Sequence, residues 1–269
     1  VDGERRILTP RVATCTSFDG VPIVYETAGS RGPVLVFIHG WSCGRAFWRE
    51  QTALADAFRV IALDLAGHGA SADASARRAW SMIAFARDVE AVIAAAGVDD
   101  VVLVGHSMGG AVAVETALLL GDRCRLVLGI DTFTDERFYG GRPAAEIAER
   151  CAAFRDDFAG TMTRMVEQIT APATDRATVR WIADAMAATR VDDAIAALGA
   201  LLAWNAAARW PQLACPVATI NCAMLESPEH AIALAGLRLH LMDGVGHFPM
   251  LEAPARFNAA LRALLTTRA

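Results

Sequence analysis

The stretch Val101-Val102-Leu103-Val104-Gly105-His106-Ser107-Met108-Gly109-Gly110, followed at once by residues 111–117, constrains this chain more than any other. A β-branched run ends in a serine flanked by glycines, and a helix-forming run starts with no linker between them. Such a sequence forces a sharp strand-to-helix corner at Ser107. Gly105 and Gly109 leave room where the two backbones crowd together, because neither carries a Cβ. The corner lifts the serine hydroxyl clear of the sheet and aims the first helical N–H, that of Met108, at incoming negative charge. The pattern is G-x-S-x-G, the nucleophile elbow.

Alternation of strands and helices surrounds this corner. Residues 11–18 and 22–27 read as two strands about the turn Asp19-Gly20, and residues 34–38 and 59–63 as buried strands with a helix at 46–57 between them. A helix over 82–96 stops at Gly97, the elbow helix runs to Leu120, and a strand follows at 125–130. Residues 216–221 and 237–242 restore strands, and 253–266 closes with a helix. Between them, from 132 to about 211, the pattern shows only amphipathic helices, near 144–158, 174–189 and 192–208. The reading is an α/β fold with a mostly parallel, doubly wound sheet. The core comprises 1–131 and 212–269, and a helical cap at 132–211 is inserted between two strands.

Composition narrows the function. The 269 residues are 54% hydrophobic and 20% charged, enough for a sizeable core and against disorder. The net charge of −5 offers no basic surface for nucleic acid, and all 25 basic residues are arginine. With no lysine, a phosphate-binding G-x-x-x-x-G-K loop is excluded. The apolar run 194–204 is too short to span a bilayer, which needs about 20 residues. Six cysteines form no C-x-x-C pair or zinc-type spacing, so buried thiols are expected in preference to disulfides. The start at Val1 implies an upstream tag, signal peptide or leader, which leaves the compartment open between cytoplasm and export.

A serine nucleophile needs a base, a group to orient that base, and donors for the oxyanion. Of six histidines, His247 lies in Asp243-Gly244-Val245-Gly246-His247-Phe248-Pro249, after the last strand and on the sheet edge where the elbow emerges. It is the expected base. His106 adjoins the nucleophile and points away from its reactive side, whereas His68 and His240 suit structural roles. Met108 N–H supplies one oxyanion donor, and Trp41 N–H, after the bend at His39-Gly40, the second. The acid falls between serine and histidine in chain order. Asp131 and Glu226 both follow strands, and Asp131 is favoured because it sits tight against its strand end between Ile130 and Phe133.

With His39-Gly40-Trp41, residues 64–71, Gly105–Gly110 and Gly246-His247-Phe248 in place, the chain resembles the α/β-hydrolase superfamily over nearly its whole length. The resemblance implies eight strands, the second antiparallel, and a cap after the sixth. Most members carry an aspartate in the loop after strand seven, where this chain has Leu225. A branch that includes haloalkane dehalogenases places the acid after strand six, as Gly129-Ile130-Asp131-Thr132-Phe133 would. Its usual aspartate nucleophile is Ser107 here, which argues against dehalogenation and epoxide opening. Asp64 matches a family residue that is usually structural.

The resulting expectation is a serine hydrolase acting on a carboxylic ester or lactone through Ser107, His247 and Asp131. It needs no cofactor or metal, takes a small-molecule acyl substrate, and is a monomer or homodimer. The same triad serves carbon–carbon bond hydrolases, cofactor-free oxygenases and perhydrolases. Thioesterases, acyltransferases and ligand-binding receptors on this fold are further alternatives. An apolar cap pocket is expected, with Phe133, Trp181 or Trp204 as candidate walls, the two tryptophans being at least as well suited to the cap's own core.

Overall fold

Eight strands form one sheet in a computed structural model of the protein, which describes residues 10–72 and 78–266; Val1 lies outside them. The strands are β1 (Arg11–Thr16), β2 (Pro22–Ala28), β3 (Val34–Ile38), β4 (Arg59–Leu63), β5 (Val101–His106), β6 (Cys124–Ile130), β7 (Val217–Cys222) and β8 (Arg238–Met242). Their spatial order is β1-β2-β4-β3-β5-β6-β7-β8. β2 is antiparallel to both its neighbours, and all pairs from β4 to β8 are parallel. The central strands β3, β5 and β7 are buried along nearly their whole length because helices cover both faces. β8 is different: as an edge strand it leaves Leu239 and Leu241 exposed.

Helix α1 (Met82–Ala95) begins at Ser81, whose hydroxyl accepts the Ala84 N–H. Helix α2 (Met108–Leu120) starts directly at the elbow and is buried nearly all round. The expected helix at 46–57 is instead a run of 3₁₀ turns over Arg45–Asp56. Trp48, Gln51 and Leu54 are all buried there, and their three-residue spacing fits the tighter turn.

Between β6 and β7 lies a helical cap: α3 (Glu136–Tyr139), α4 (Ala144–Ala152), α5 (Phe158–Ile169), α6 (Arg176–Ala187), α7 (Val191–Ala203) and α8 (Ala206–Arg209). The single helix expected near 144–158 is instead α4, which ends at Ala152, and α5, which begins at Phe158. Its signal is Asp157, whose carboxylate accepts the Gly160 N–H and starts a new helix. The expected helix 192–208 likewise divides at Trp204, where the backbone turns extended and Asn205 caps α8. The cap is fastened to α2 by Glu115, a buried carboxylate that accepts from Trp204 Nε1 (2.7 Å) and from Arg209 Nε (2.7 Å) and Nη2 (2.6 Å). Two C-terminal helices, α9 (Pro249–Glu252) and α10 (Pro254–Thr266), complete the chain.

Candidate active site

Parallel strands deliver their following loops to one edge of the sheet. The elbow after β5, His39–Trp41 after β3, Asp131 after β6, the segment after β7 and His247 after β8 all meet there, under the cap.

Ser107 adopts φ 51°, ψ −120°, a conformation that L-residues avoid. It is held there by its own N–H to Ile130 O (2.9 Å) and by Gly110 N–H to its carbonyl (2.8 Å). A Cβ on Gly105 would lie 2.2 Å from Gly109 O, and one on Gly109 would lie 2.3 Å from Ile38 O. Both glycines are therefore required by close backbone approach. Met108 opens α2, where the first N–H groups have no partner within the helix.

His247 Nδ1 lies 2.5 Å from Asp131 Oδ2. A carboxylate only accepts, so Nδ1 carries the proton and Nε2 is left as the basic nitrogen. Asp131 is buried, and its other oxygen accepts the Cys222 N–H at 2.8 Å. Glu226 does not reach His247's ring by any such bond; its Oε1 accepts from Thr134 Oγ1 and Asn221 Nδ2, both at 2.9 Å. The structure thus pairs His247 with one of the two candidate acids and ties the other into a bridge between the β6 and β7 loops.

Ser107, His247, Asp131, Trp41 and Glu226 all border one cavity of about 630 Å³. Its apolar wall comes largely from the cap: Phe154, Met165, Met186, Leu198, Leu201 and Leu202. Arg137 and Arg150 also border it, each already paired, with Asp135 and Glu146 respectively. The three aromatic candidates for the cavity wall do not border it. Phe133 is fully buried against Tyr139 and Trp210, Trp204 is held by Glu115, and Trp181 lies under Arg49 at an outer groove. The aromatic lining is instead Trp41, Phe138, Tyr139, Phe154 and Phe248.

Two contributors escaped the sequence reading. Tyr139, on the first turn of the cap, is buried with its phenol against the Ser107 and Thr132 hydroxyls; burial, more than any neighbour, pushes its ionisation upward, so it stays a neutral donor. His106 borders the same cavity, packs its ring 4.7 Å from that of His247, and donates from Nε2 to the His247 carbonyl at 2.8 Å. Burial drives its own pKa well below the usual histidine value, so it is a neutral prop for the His247 loop. His39 is likewise neutral, lowered to about 4 by burial, and spans Gly40 O and Leu65 N. Asp64 pairs with Arg45 and accepts from the Arg45 and Ala70 N–H groups, a structural role. Among the described residues no group of three or more His, Cys, Asp or Glu side chains is placed to hold a metal, and no helix is long and apolar enough to cross a membrane.

Comparison with known proteins agrees with this architecture. Residues 35–260 match the family described as alpha/beta hydrolase. Epoxide hydrolase B of Mycobacterium tuberculosis is 35% identical over 142 residues, 52% of this chain and 40% of that protein. The bifunctional esterase/perhydrolase DCH of Acinetobacter calcoaceticus is 42% identical over 101 residues, 35% of each chain. The chain thus spans well under half the length of these curated relatives. Among solved structures, a thermophilic esterase from Thermogutta terrifontis superposes with a TM-score of 0.81 at 24% identity, over 95% of this chain and 98% of that one.

Proposed function

The chain belongs to the alpha/beta hydrolase family, and from its site we propose that it cleaves a carboxylic ester or lactone of a small, largely apolar substrate. Ser107 is the nucleophile, His247 the base and Asp131 the orienting acid. One observation carries this reading: the 2.5 Å contact between His247 Nδ1 and a buried Asp131, on the cavity that Ser107 also borders. A proton fixed on Nδ1 leaves Nε2 free to take the Ser107 proton as the serine oxygen attacks the acyl carbonyl. The Trp41 and Met108 N–H groups hold the oxyanion, each worth about 3 kcal/mol in sites of this kind. Protonated His247 then gives its proton to the leaving alcohol. Water, deprotonated by the same Nε2, releases the acid and restores Ser107.

In this reading residues 132–211 form the cap that selects the substrate, over a core of 1–131 and 212–269. The paired state of Arg137 and Arg150 favours a neutral acyl group among the cap's leucines and methionines. Hydrolysis of a p-nitrophenyl ester series, acetate to decanoate, tests the proposal. Wild type should turn over and Ser107→Ala should not. A folded wild type inert on every ester and lactone would refute it.

Perhydrolysis is a second reading, supported by the similarity to the esterase/perhydrolase. Hydrogen peroxide would replace water on the acyl-enzyme, giving a peracid and free Ser107. Peracid formed from an ester plus peroxide, and lost in Ser107→Ala, would support it.

A further inference from the structure

Glu252 ends α9, five residues beyond His247, and its carboxylate accepts four hydrogen bonds. Oε1 takes the Phe248 N–H at 2.9 Å. Oε2 takes the Gly246 N–H at 2.9 Å, the Ala171 N–H at 2.8 Å and the Thr174 hydroxyl at 2.6 Å. Gly246 and Phe248 flank His247, whereas Ala171 and Thr174 lie on the cap segment that follows α5. The His247 N–H itself goes to the carbonyl of Ile169, the last residue of α5, at 2.7 Å. Ile169 also borders the cavity. The seam is tight: a Cβ on Gly246 would stand 2.3 Å from Ile169 O. One half-buried carboxylate therefore joins two segments that the chain separates by more than 70 residues.

We propose that Glu252 is a positioning residue that latches the cap segment 169–174 to the His247 loop, so that His247 is held in register with the cap wall against which substrate packs. The proposal rests on the reading of His247 as the base. A carboxylate, whose two oxygens can both accept, suits a site where all four partners are donors. A glutamine can keep its oxygen toward the Gly246, Ala171 and Thr174 donors only by turning its NH₂ against the Phe248 N–H, which frees one side of the His247 loop. A valine at position 174 keeps the shape of threonine and deletes a single bond, at a side chain that does not border the cavity.

The test pairs kinetics with hydrogen exchange on Glu252→Gln and Thr174→Val. In Glu252→Gln, kcat on p-nitrophenyl butyrate should fall at least tenfold with KM within twofold, because the loss is in the placement of His247. In Thr174→Val it should fall threefold to tenfold in the same way. Amide exchange in a peptide spanning 244–252 should accelerate at least tenfold in Glu252→Gln and at least threefold in Thr174→Val, although the latter substitution lies in the cap. Exchange at 244–252 unchanged in Thr174→Val, or wild-type kcat with only KM raised, would overturn the latch. If Glu252→Gln does not fold, Thr174→Val decides alone. If wild type cleaves no ester, the hydrolase reading fails while the exchange comparison still decides the latch.

Discussion

Replacing Asp131 by asparagine separates the two candidate acids. Asp131 Oδ1 accepts the Cys222 N–H and Oδ2 faces His247 Nδ1. Asparagine can keep the Cys222 bond only with its carbonyl oxygen, which turns its NH₂ toward His247. That donor forces Nδ1 to become the acceptor and moves the imidazole proton to Nε2, the nitrogen that should take the Ser107 proton. The tautomer is then wrong for a base. Loss of an orienting aspartate in such a triad lowers kcat by about 10⁴, or about 5.5 kcal/mol of transition-state stabilisation. Glu226→Gln should change kcat by less than about threefold, because its bonds to Thr134 and Asn221 can be retained by an amide. The assay is steady-state hydrolysis of p-nitrophenyl butyrate by both variants, with thermal melts to verify folding. A near-wild-type Asp131→Asn beside a crippled Glu226→Gln would refute the assignment.

Three other outcomes follow from the geometry. Gly105→Ala drives a methyl into the Gly109 carbonyl and should destabilise by about 3 kcal/mol in a urea titration; a change under about 0.5 kcal/mol would contradict the crowding argument. Leu201→Trp intrudes on the cavity and should shift preference toward shorter acyl chains, whereas Trp204→Phe, off the cavity, should not shift it. Comparing kcat/KM for acetate through decanoate esters decides. His39 and His68 are fully buried and lowered, chiefly by burial, to about 4 and about 3, so below pH 6.5 the unfolded chain binds protons that the folded one refuses. Stability should be intact above pH 6.5 and fall by about 2 kcal/mol per histidine by pH 5. Equal urea midpoints at pH 7 and pH 5 would exclude this linkage.

Much of the fold is written locally. The apolar runs at 34–38 and 101–104 must be buried on both faces, and glycines 105 and 109 admit only a tight corner at Ser107. Chain order then places His247 at the same sheet edge, because parallel strands send their following loops one way. Ser107 and His247 were legible for that reason. Other features depend on which loops become neighbours, which no local pattern encodes. Asp131 and Glu226 have the same position relative to their strands; the stacking of β6, β7 and β8 gives His247 to one and Asn221 and Thr134 to the other. The sequence leaves Trp181 and Trp204 open between cavity wall and cap core, because aromatics in a cap suit either, and packing places Trp204 against Glu115 and Trp181 beneath Arg49 at an outer groove. Tyr139 and Glu252 gave no sequence signal at all. Beside near neighbours in the chain, Tyr139 meets Ser107, 32 residues away, and Glu252 meets Thr174, 78 residues away, and contacts between groups so far apart exist only once the cap has folded down onto the sheet.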